Sequence, residues 1–147
     1  MPVRLLSSEV RVSRPLEEVF AFFSNPANLA LLSPPWIRFE ILTPLPVTLR
    51  VGLRLDYRVR VRGLPLRWQS RIDAWEPPHR FMDVQTRGPF RSWRHTHSFT
   101  TLPDGTNCRD DLEYTVWGGA LVDRWFVRRD VERIFQYREE QLRRIFG

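Results

Sequence analysis

A long stretch of two-residue alternation, followed by one segment with helical spacing, constrains the fold of this chain more than any other sequence feature. Between residues 53 and 74, apolar side chains alternate with charged ones, a pattern typical of strands that bury one face. From residue 122 to residue 146, apolar positions recur every three or four residues, as they do in an amphipathic helix. Strands followed by one long terminal helix predict an α+β domain.

The other segments complete the predicted set of elements. Residues 3–12 alternate as a first strand, and two short helices are predicted at 16–23 and 27–32, the second ended by Pro34-Pro35. Further strands are predicted at 37–41, 53–62, 66–74, 80–87, 91–100 and 106–117, joined by turns rich in glycine and proline. We therefore expect seven antiparallel strands, with both short helices between the first and the second strand.

The terminal helix needs a surface on which to bury its apolar stripe. That stripe consists of Val127, Val131, Ile134, Phe135, Leu142 and Ile145. The inner face of the sheet is the large apolar surface available, so the sheet should curl around the helix. Because seven strands are wider than one helix can cover, we expect a pocket between them. At 147 residues, the chain has the size of one domain, 1–147.

Polar side chains occur on the inner face of the sheet where apolar ones are expected. Asp83 and Gln85 share a face of the fifth strand, and His95 and His97 share the matching face of the sixth. With a turn centred near Pro89, Asp83 pairs with His95, whereas a one-step change of register sets it against His97. Either register brings a carboxylate to an imidazole.

Arg138 is the corresponding exception on the terminal helix. It lies in the middle of the apolar stripe and should point into the sheet unless its stem bends towards water. There it would neutralise Asp83 or Asp110, or bind an acidic group of a ligand. Unpaired polar groups in a dry core cost roughly 1 to 3 kcal/mol each. The polar residues therefore form either a self-satisfied network or a patch that orients a ligand.

The candidate ligand-binding residues are those of the inner face and its neighbouring loops. They are Tyr57, Trp68, Phe81, Asp83, Gln85, Phe90, Trp93, His95, His97, Phe99, Asp110, Tyr114, Ile134 and Arg138. His95, His97 and Asp83 are also candidate catalytic residues, because a His–Asp pair can act as a general base and Tyr114 could supply a proton. The sequence offers no identifiable nucleophile or oxyanion donor.

The same residues do not indicate a metal or a cofactor. His95-x-His97 has no firmly placed third ligand, so we predict no metal site. No glycine-rich phosphate loop is present, and we predict no bound cofactor.

Three turns, at 63–65, 88–90 and 118–120, should meet at one end of the sheet, with residues 34–36 nearby. We expect Leu64, Phe90 and Trp36 to line the mouth of the pocket and to gate it. Ordinary hairpin turns account for these residues equally well.

Charge and composition bear on partners and location. The net charge of +6 comes from 23 basic residues, all of them arginine, which also fits a codon bias. Nucleic acid is a disfavoured partner, because Asp56 and Asp73 interrupt the outward arginines and stacking aromatics are missing.

No apolar run is long enough for a bilayer, and residues 1–12 lack a signal-peptide core, so we expect a cytoplasmic protein. Cys108 is alone and forms no intrachain disulfide; a weak homodimer stays open.

At this level of detail the chain resembles a known superfamily. Its element order and the run Phe81-x-Asp83-x-Gln85, Gly88-Pro89-Phe90, Trp93-x-His95-x-His97-x-Phe99 are similar to the ligand-binding branch of the START-like (SRPBCC) superfamily, which has the helix-grip fold. Its members include lipid carriers, hormone receptors, polyketide cyclases or aromatases, and quinone-binding proteins. The resemblance implies a cavity beneath the long helix and a hydrophobic guest.

Three functions remain for such a fold, which hosts many activities. The first is a non-catalytic carrier or sensor of a small lipophile such as a fatty acid, isoprenoid, quinone or polyketide. The second is a cyclase or dehydratase that uses His95 or His97 with Asp83. The third is a partner of nucleic acid or of the ribosome, through outward arginines such as Arg58 and Arg67.

Overall fold

The computed structural model describes residues 3–147, and its elements follow the predicted order. The elements are β1 (Arg4–Val12), α1 (Leu16–Phe23), α2 (Leu29–Leu32), β2 (Glu40–Ile41), β3 (Arg54–Val61), β4 (Leu64–Glu76), β5 (Arg80–Arg87), β6 (Ser92–Leu102), β7 (Gly105–Thr115), α3 (Gly119–Val122) and α4 (Arg128–Phe146). Short 3₁₀ turns precede and follow α2, and a π-helical turn, Asp123–Val127, joins α3 to α4. Among the described residues, no helix has the length and apolar character needed to span a bilayer.

The strands form one antiparallel sheet in the order β1-β7-β6-β5-β4-β3-β2. Strands β3 to β7 are joined as consecutive hairpins, while β1 pairs with β7 over its whole length. The predicted helix-grip architecture, a seven-stranded sheet around a long C-terminal helix, is confirmed.

Helix α4 packs over one half of the sheet, the half that contains β1 and β7. Leu142 and Phe146 share a core with Val10 of β1, and Val131 and Phe135 share a second core with residues of β7. A third cluster is built on β3 and the loop before it and contains no residue of α4. Seven strands about 4.8 Å apart are wider than a helix about 10 Å across. The helix therefore leaves a gap above β3, β4 and β5.

Strand β2 is shorter than the predicted strand 37–41. Pro34 and Pro35 start a 3₁₀ turn that includes Ile37, and Arg38 then adopts a left-handed conformation with φ 49°. The chain consequently reaches the sheet only at Glu40, where it pairs with Arg58 of β3.

Two predicted core positions also differ. The β4–β5 register shifts between Ile72 and Ala74, so Trp75, and not Ala74, packs on the inner face, with its ring 5.6 Å from that of Phe81. Such a bulge exchanges the two faces of a strand. On α4, Phe146 is the buried end of the apolar stripe, whereas Ile145 is only partly buried.

Candidate functional site

Two adjoining cavities occupy the gap between the sheet and the helices. The inner chamber has a volume of about 190 Å³, and the outer chamber, which lies towards the turns, has about 490 Å³. Both chambers are lined mainly by apolar side chains. Their walls share Ile37, Val59, Trp68, Trp93 and Ile134. These five residues form the neck between the chambers.

Strands β5, β6 and β7 bring a group of charged side chains to the inner chamber. We call Asp83, His95, His97, Asp110 and Arg138 the charged network. All of them except Asp110 line the inner chamber. His95, His97, Asp110 and Arg138 are buried, and Asp83 is partly buried. The sequence predicted each of these residues as part of the polar patch.

Each histidine of the charged network is bound to one carboxylate. His95 Nε2 lies 2.8 Å from Asp110 Oδ1, and His97 Nε2 lies 2.8 Å from Asp83 Oδ2. Asp83 is directly opposite His95 in the sheet, and His97 is opposite Asp110. The hydrogen bonds therefore run diagonally across the strands, and the two imidazole rings stack with their centroids 3.8 Å apart.

Arg138 joins the network from α4. Its Nε and one terminal nitrogen donate to the two oxygens of Asp110 at 3.1 and 3.3 Å. The same terminal nitrogen lies 3.2 Å from His97 Nδ1. The guanidinium also lies 5.2 Å from the centre of the Phe23 ring. Arg138 thus links α4 to β7 through Asp110, the acid of the charged network that does not line the inner chamber.

Burial and the neighbouring charges set the protonation of the network. Burial works against ionisation of Asp110, but Arg138 and the two histidines hold its pKa well below the usual range. Burial also opposes ionisation of Asp83, but its hydrogen bond with His97, together with the charges of His97, His95 and Arg138, lowers its pKa. Burial also opposes the charged form of His97, but Asp110 and Asp83 outweigh burial and raise the pKa of His97. The two carboxylates thus lie beside the charged Arg138 and beside His97, whose protonated form they favour.

His95 differs from His97 in protonation. Burial, together with the positive charge of His97, lowers the pKa of His95 despite its bond to Asp110. Because an ionised carboxylate only accepts hydrogen bonds, the proton of neutral His95 lies on Nε2. Its Nδ1 makes no hydrogen bond with the described residues and keeps a free lone pair.

Two hydroxyl groups of β3 and β4 also line the inner chamber. The indole N–H of Trp68 donates to Ser70 Oγ at 3.1 Å. Burial and the negative charge of Asp83 raise the pKa of Tyr57, so its phenol stays protonated and can donate. Ser70 was missed in the sequence, although it falls in phase with Trp68 and Ile72 on the inner face. Tyr57 and Trp68 lie where the sequence predicted them.

Several predicted site residues lie on the walls without a polar role. Phe81 lines the inner chamber and stacks on His97 with centroids 4.1 Å apart. Phe90 lines the outer chamber, and Trp93 and Ile134 belong to the neck.

Three other predicted residues point to structural partners. The carboxamide of Gln85 closes the following turn, donating to Phe90 O at 2.8 Å and accepting from Phe90 N at 3.1 Å. Phe99 packs in the core with residues of α1. Tyr114 donates to buried Asp123 at 2.7 Å. None of the three lines either chamber.

Some residues that line the inner chamber were not predicted from the sequence. Residues of α1, α2 and the loops complete the inner chamber, namely Phe23, Pro26, Leu29, Leu32, Ser33, Phe39 and Leu49. They belong to segments whose position over the sheet has no periodic signal.

The turns at one end of the molecule surround the outer chamber. Trp36, Gly63, Pro89 and Trp117 line it, so the predicted meeting of these turns is found in the structure. Arg62 lies across the opening, with one terminal nitrogen 3.2 Å from Asp130 of α4 and 3.0 Å from Phe126 O.

The comparison with protein families decides where this chain belongs. Residues 12–143 match the family model described as polyketide cyclase / dehydrase and lipid transport. The chain belongs to this family. Its resemblance to SRPBCC proteins is thereby confirmed.

Solved structures with this fold include proteins of varied origin. A Chromobacterium violaceum protein has 17% identity and a TM-score of 0.76, with 97% of this chain and 96% of that chain covered. An aromatase/cyclase from a Streptomyces species has 18% identity and a TM-score of 0.75, with coverages of 96% and 92%. Ara h 8.0201 has 14% identity and a TM-score of 0.68, with coverages of 96% and 95%. At these identities the likeness shows the fold alone. No curated protein matches the sequence.

In this polyketide cyclase family member, three residues have the side chains of a metal site. Asp83, His95 and His97 each offer one ligand atom, and these atoms lie within 4.8 Å of one another. Both Nε2 atoms are, however, bound to carboxylates, and the Arg138 guanidinium lies 3.2 Å from His97 Nδ1. His95 Nδ1 and one oxygen of Asp83 are free, but His97 could bind a metal ion only by losing its hydrogen bond to Asp83 or by placing the ion beside Arg138. The donor set therefore fits a hydrogen-bonded network better than a cation.

Proposed function

We propose that the protein binds a small, mainly apolar molecule that carries a hydroxyl or phenol group. The apolar body would occupy the outer chamber and the neck, and the hydroxyl would reach the inner chamber. The observation that carries this proposal is the pair of adjoining chambers, whose apolar walls end at Asp83, His95 and Tyr57. Apolar pockets with a few convergent polar groups are typical ligand sites.

The charge of the network favours a hydroxyl over a carboxylate. Asp83 is ionised, and its Oδ1 makes no hydrogen bond with the described residues, so it accepts from a donor. Tyr57 keeps its proton and donates. A hydroxyl can satisfy both groups, whereas a carboxylate has no proton to give to Asp83 and would add a third negative charge. Arg138 offers little attraction, because Asp110 already neutralises it.

Matched ligand pairs test this proposal. We expect a medium-chain alcohol to raise the melting temperature, and to appear as a bound mass in native mass spectrometry, at lower concentration than the acid of equal chain length. A hydroquinone should likewise bind more tightly than its quinone, which has no proton to donate. A protein that binds none of these compounds would contradict ligand binding itself, and one that prefers the acid would contradict the hydroxyl preference.

Variants of the chain separate the two parts of this proposal. Asp83→Asn keeps an acceptor for His97 but removes the charge, so the preference for alcohol over acid should shrink. Asp73→Asn, which alters an exposed carboxylate bound to Arg71, should leave it unchanged. Ile134→Trp fills the neck and should weaken the binding of every ligand, while Val51→Trp, in an exposed loop, should not.

A second function is favoured by the protonation of His95. Its neutral imidazole lines the inner chamber, is held at Nε2 by Asp110 and has a free Nδ1. This is the arrangement of a general base, and a cyclase or dehydratase needs one to remove a proton beside a carbonyl. The Streptomyces protein of the same fold is an aromatase/cyclase. We infer that His95 Nδ1 would take the proton beside the carbonyl, that the carbon–carbon double bond would form as the bond to the β-hydroxyl breaks, and that the resulting imidazolium would return the proton to this hydroxyl, which leaves as water.

A β-hydroxyketone that dehydrates to an absorbing enone is a suitable probe of this second function. His95→Ala should abolish turnover in a variant that still folds, with reduced stability because Asp110 loses a buried partner, and His79→Ala, at an exposed position, should change neither turnover nor stability. The rate should fall only in acid, below the ordinary imidazole pKa of about 6.5. Equal turnover by the His95→Ala variant would contradict the role of His95, and absence of turnover by the parent would leave binding as the only function.

A further inference from the structure

Large apolar side chains are exposed around the opening of the outer chamber. We call Trp36, Leu64, Trp117, Leu121, Trp125 and Phe126 the mouth patch. Their exposed fractions range from 49% for Trp36 to 70% for Leu121. Trp36, Trp117 and Phe126 line the outer chamber, and the other three follow or precede the lining residues Gly63, Val122 and Phe126 in the chain. Exposed apolar groups gathered at one opening indicate an interaction surface.

Each aromatic ring of the mouth patch has an arginine above it. The guanidinium carbons lie 4.8 Å from the Trp36 ring centre for Arg133, 5.5 Å from Trp117 for Arg91, 5.8 Å from Phe126 for Arg62, and 5.9 Å from Trp125 for Arg124. The four arginines belong to the β3–β4 turn, the β5–β6 turn, the π-helical turn and α4. The mouth patch therefore combines aromatic rings with positively charged side chains.

Few acids offset this charge. In the segment 117–133, Asp123 is buried against Tyr114 and Arg4, Asp130 is paired with Arg62, and Glu132 is the remaining acid and is exposed. The π-helical turn in this segment places Trp125 and Phe126 outwards while Asp123 anchors it from within. The same turn therefore presents both rings outwards.

We propose that the mouth patch docks on the surface of an anionic lipid bilayer. Tryptophan favours the interface between headgroups and acyl chains, and arginine near it is attracted by anionic headgroups. The rings would enter the interface while Arg91, Arg124 and Arg133 contact phosphate and carboxylate groups. The opening of the outer chamber would then face the acyl region, so that an apolar guest could pass between bilayer and protein without crossing water.

Charge favours a bilayer over a second copy of the chain. A symmetric dimer through the mouth patch would bring Arg91, Arg124 and Arg133 of both subunits together, because both subunits use the same surface. Anionic headgroups neutralise that charge instead. Docking also differs from guest binding, since it depends on exposed side chains and needs no ligand in the chambers.

Co-sedimentation with vesicles tests the docking. The full chain should bind vesicles of phosphatidylcholine mixed with phosphatidylserine, bind vesicles of phosphatidylcholine alone weakly, and be released by salt. The double variant Trp125→Ala with Phe126→Ala should lose about tenfold or more in affinity, since two exposed rings are removed. Arg124→Gln or Arg133→Gln should each lose about fivefold, as expected for one arginine at an anionic surface.

Matched controls use the same changes elsewhere. Leu5→Ala removes an equally exposed apolar group on β1, and Arg67→Gln removes an exposed charge on the outer face of β4. Both should bind vesicles as the parent does. The proposal is overturned if the parent ignores both vesicle types or if the controls lose as much affinity as the mouth variants. It is also overturned if size exclusion shows a dimer that the Trp125→Ala and Phe126→Ala variant disperses.

Discussion

Replacing Arg138 with methionine would test whether this residue holds the charged network together. Methionine keeps a stem of similar length against Phe23 but removes both hydrogen bonds to Asp110. Asp110 then remains buried with only His95 and His97 as partners. Removing one member of a buried ion pair costs about 3 to 5 kcal/mol. Such a loss is a large part of the total stability of a domain, which is about 5 to 15 kcal/mol.

Urea unfolding followed by tryptophan fluorescence measures this loss. At about 3 °C per kcal/mol for a chain of this size, the melting temperature should also fall by roughly 10 °C. The double variant with Asp110→Asn should recover most of the loss, because asparagine still accepts from His95 but carries no charge. Arg109→Met, which breaks exposed pairs with Glu9 and Asp111, should cost less than about 1 kcal/mol.

The pH dependence of the Arg138→Met variant gives an independent check. In the parent protein the pKa of Asp110 is far below its ordinary value, so its contribution to stability is present above that ordinary value and is lost as pH falls through the folded pKa. The variant lacks the charge of Arg138, which contributes most to lowering the pKa of Asp110. The stability difference between parent and variant should therefore shrink in acid. A loss as small as that of Arg109→Met, or no recovery with Asp110→Asn, would refute the assigned role.

Two further predictions concern His97 and Cys108. Because the pKa of His97 is raised, its contribution to the free energy of unfolding should be complete below about pH 6.5 and be lost as pH rises through the folded pKa; urea titrations should show this slope disappear in His97→Asn but persist in His79→Asn. Burial raises the pKa of Cys108 to about 12, so a thiol reagent near neutral pH should label it only at the rate of unfolding. Fast labelling of the native protein would mean that β7 opens locally.

The strand pairing shows how far the sequence leads. Alternation and the turn near Pro89 left two registers, with Asp83 opposite His95 or opposite His97, and the β5–β6 pairing has Asp83 opposite His95. The hydrogen bonds nevertheless run from Asp83 to His97 and from His95 to Asp110. Backbone register follows from periodicity and turn length. The choice between facing and diagonal partners depends instead on side-chain torsion angles, which are fixed by packing between adjacent strands.

The roles of individual polar residues divide in the same way. Arg138 was predicted to point into the sheet from its place on the apolar stripe, and it is buried there against Asp110. Gln85 and Tyr114 were grouped with it because they share the inner face, yet their partners are a turn and a buried acid. Those partners come from segments with no sequence period, so their position could not be anticipated.

The sequence by itself determined the order of the main strands and helices of this protein, because the side-chain period of two or 3.6 follows directly from backbone geometry. It also determined which faces carry polar groups. Only the tertiary structure decided that α4 lies over β1 and β7, leaving two chambers above β3 to β5. That position is the sum of many small packing contacts between distant segments, and no local pattern of residues encodes such a sum.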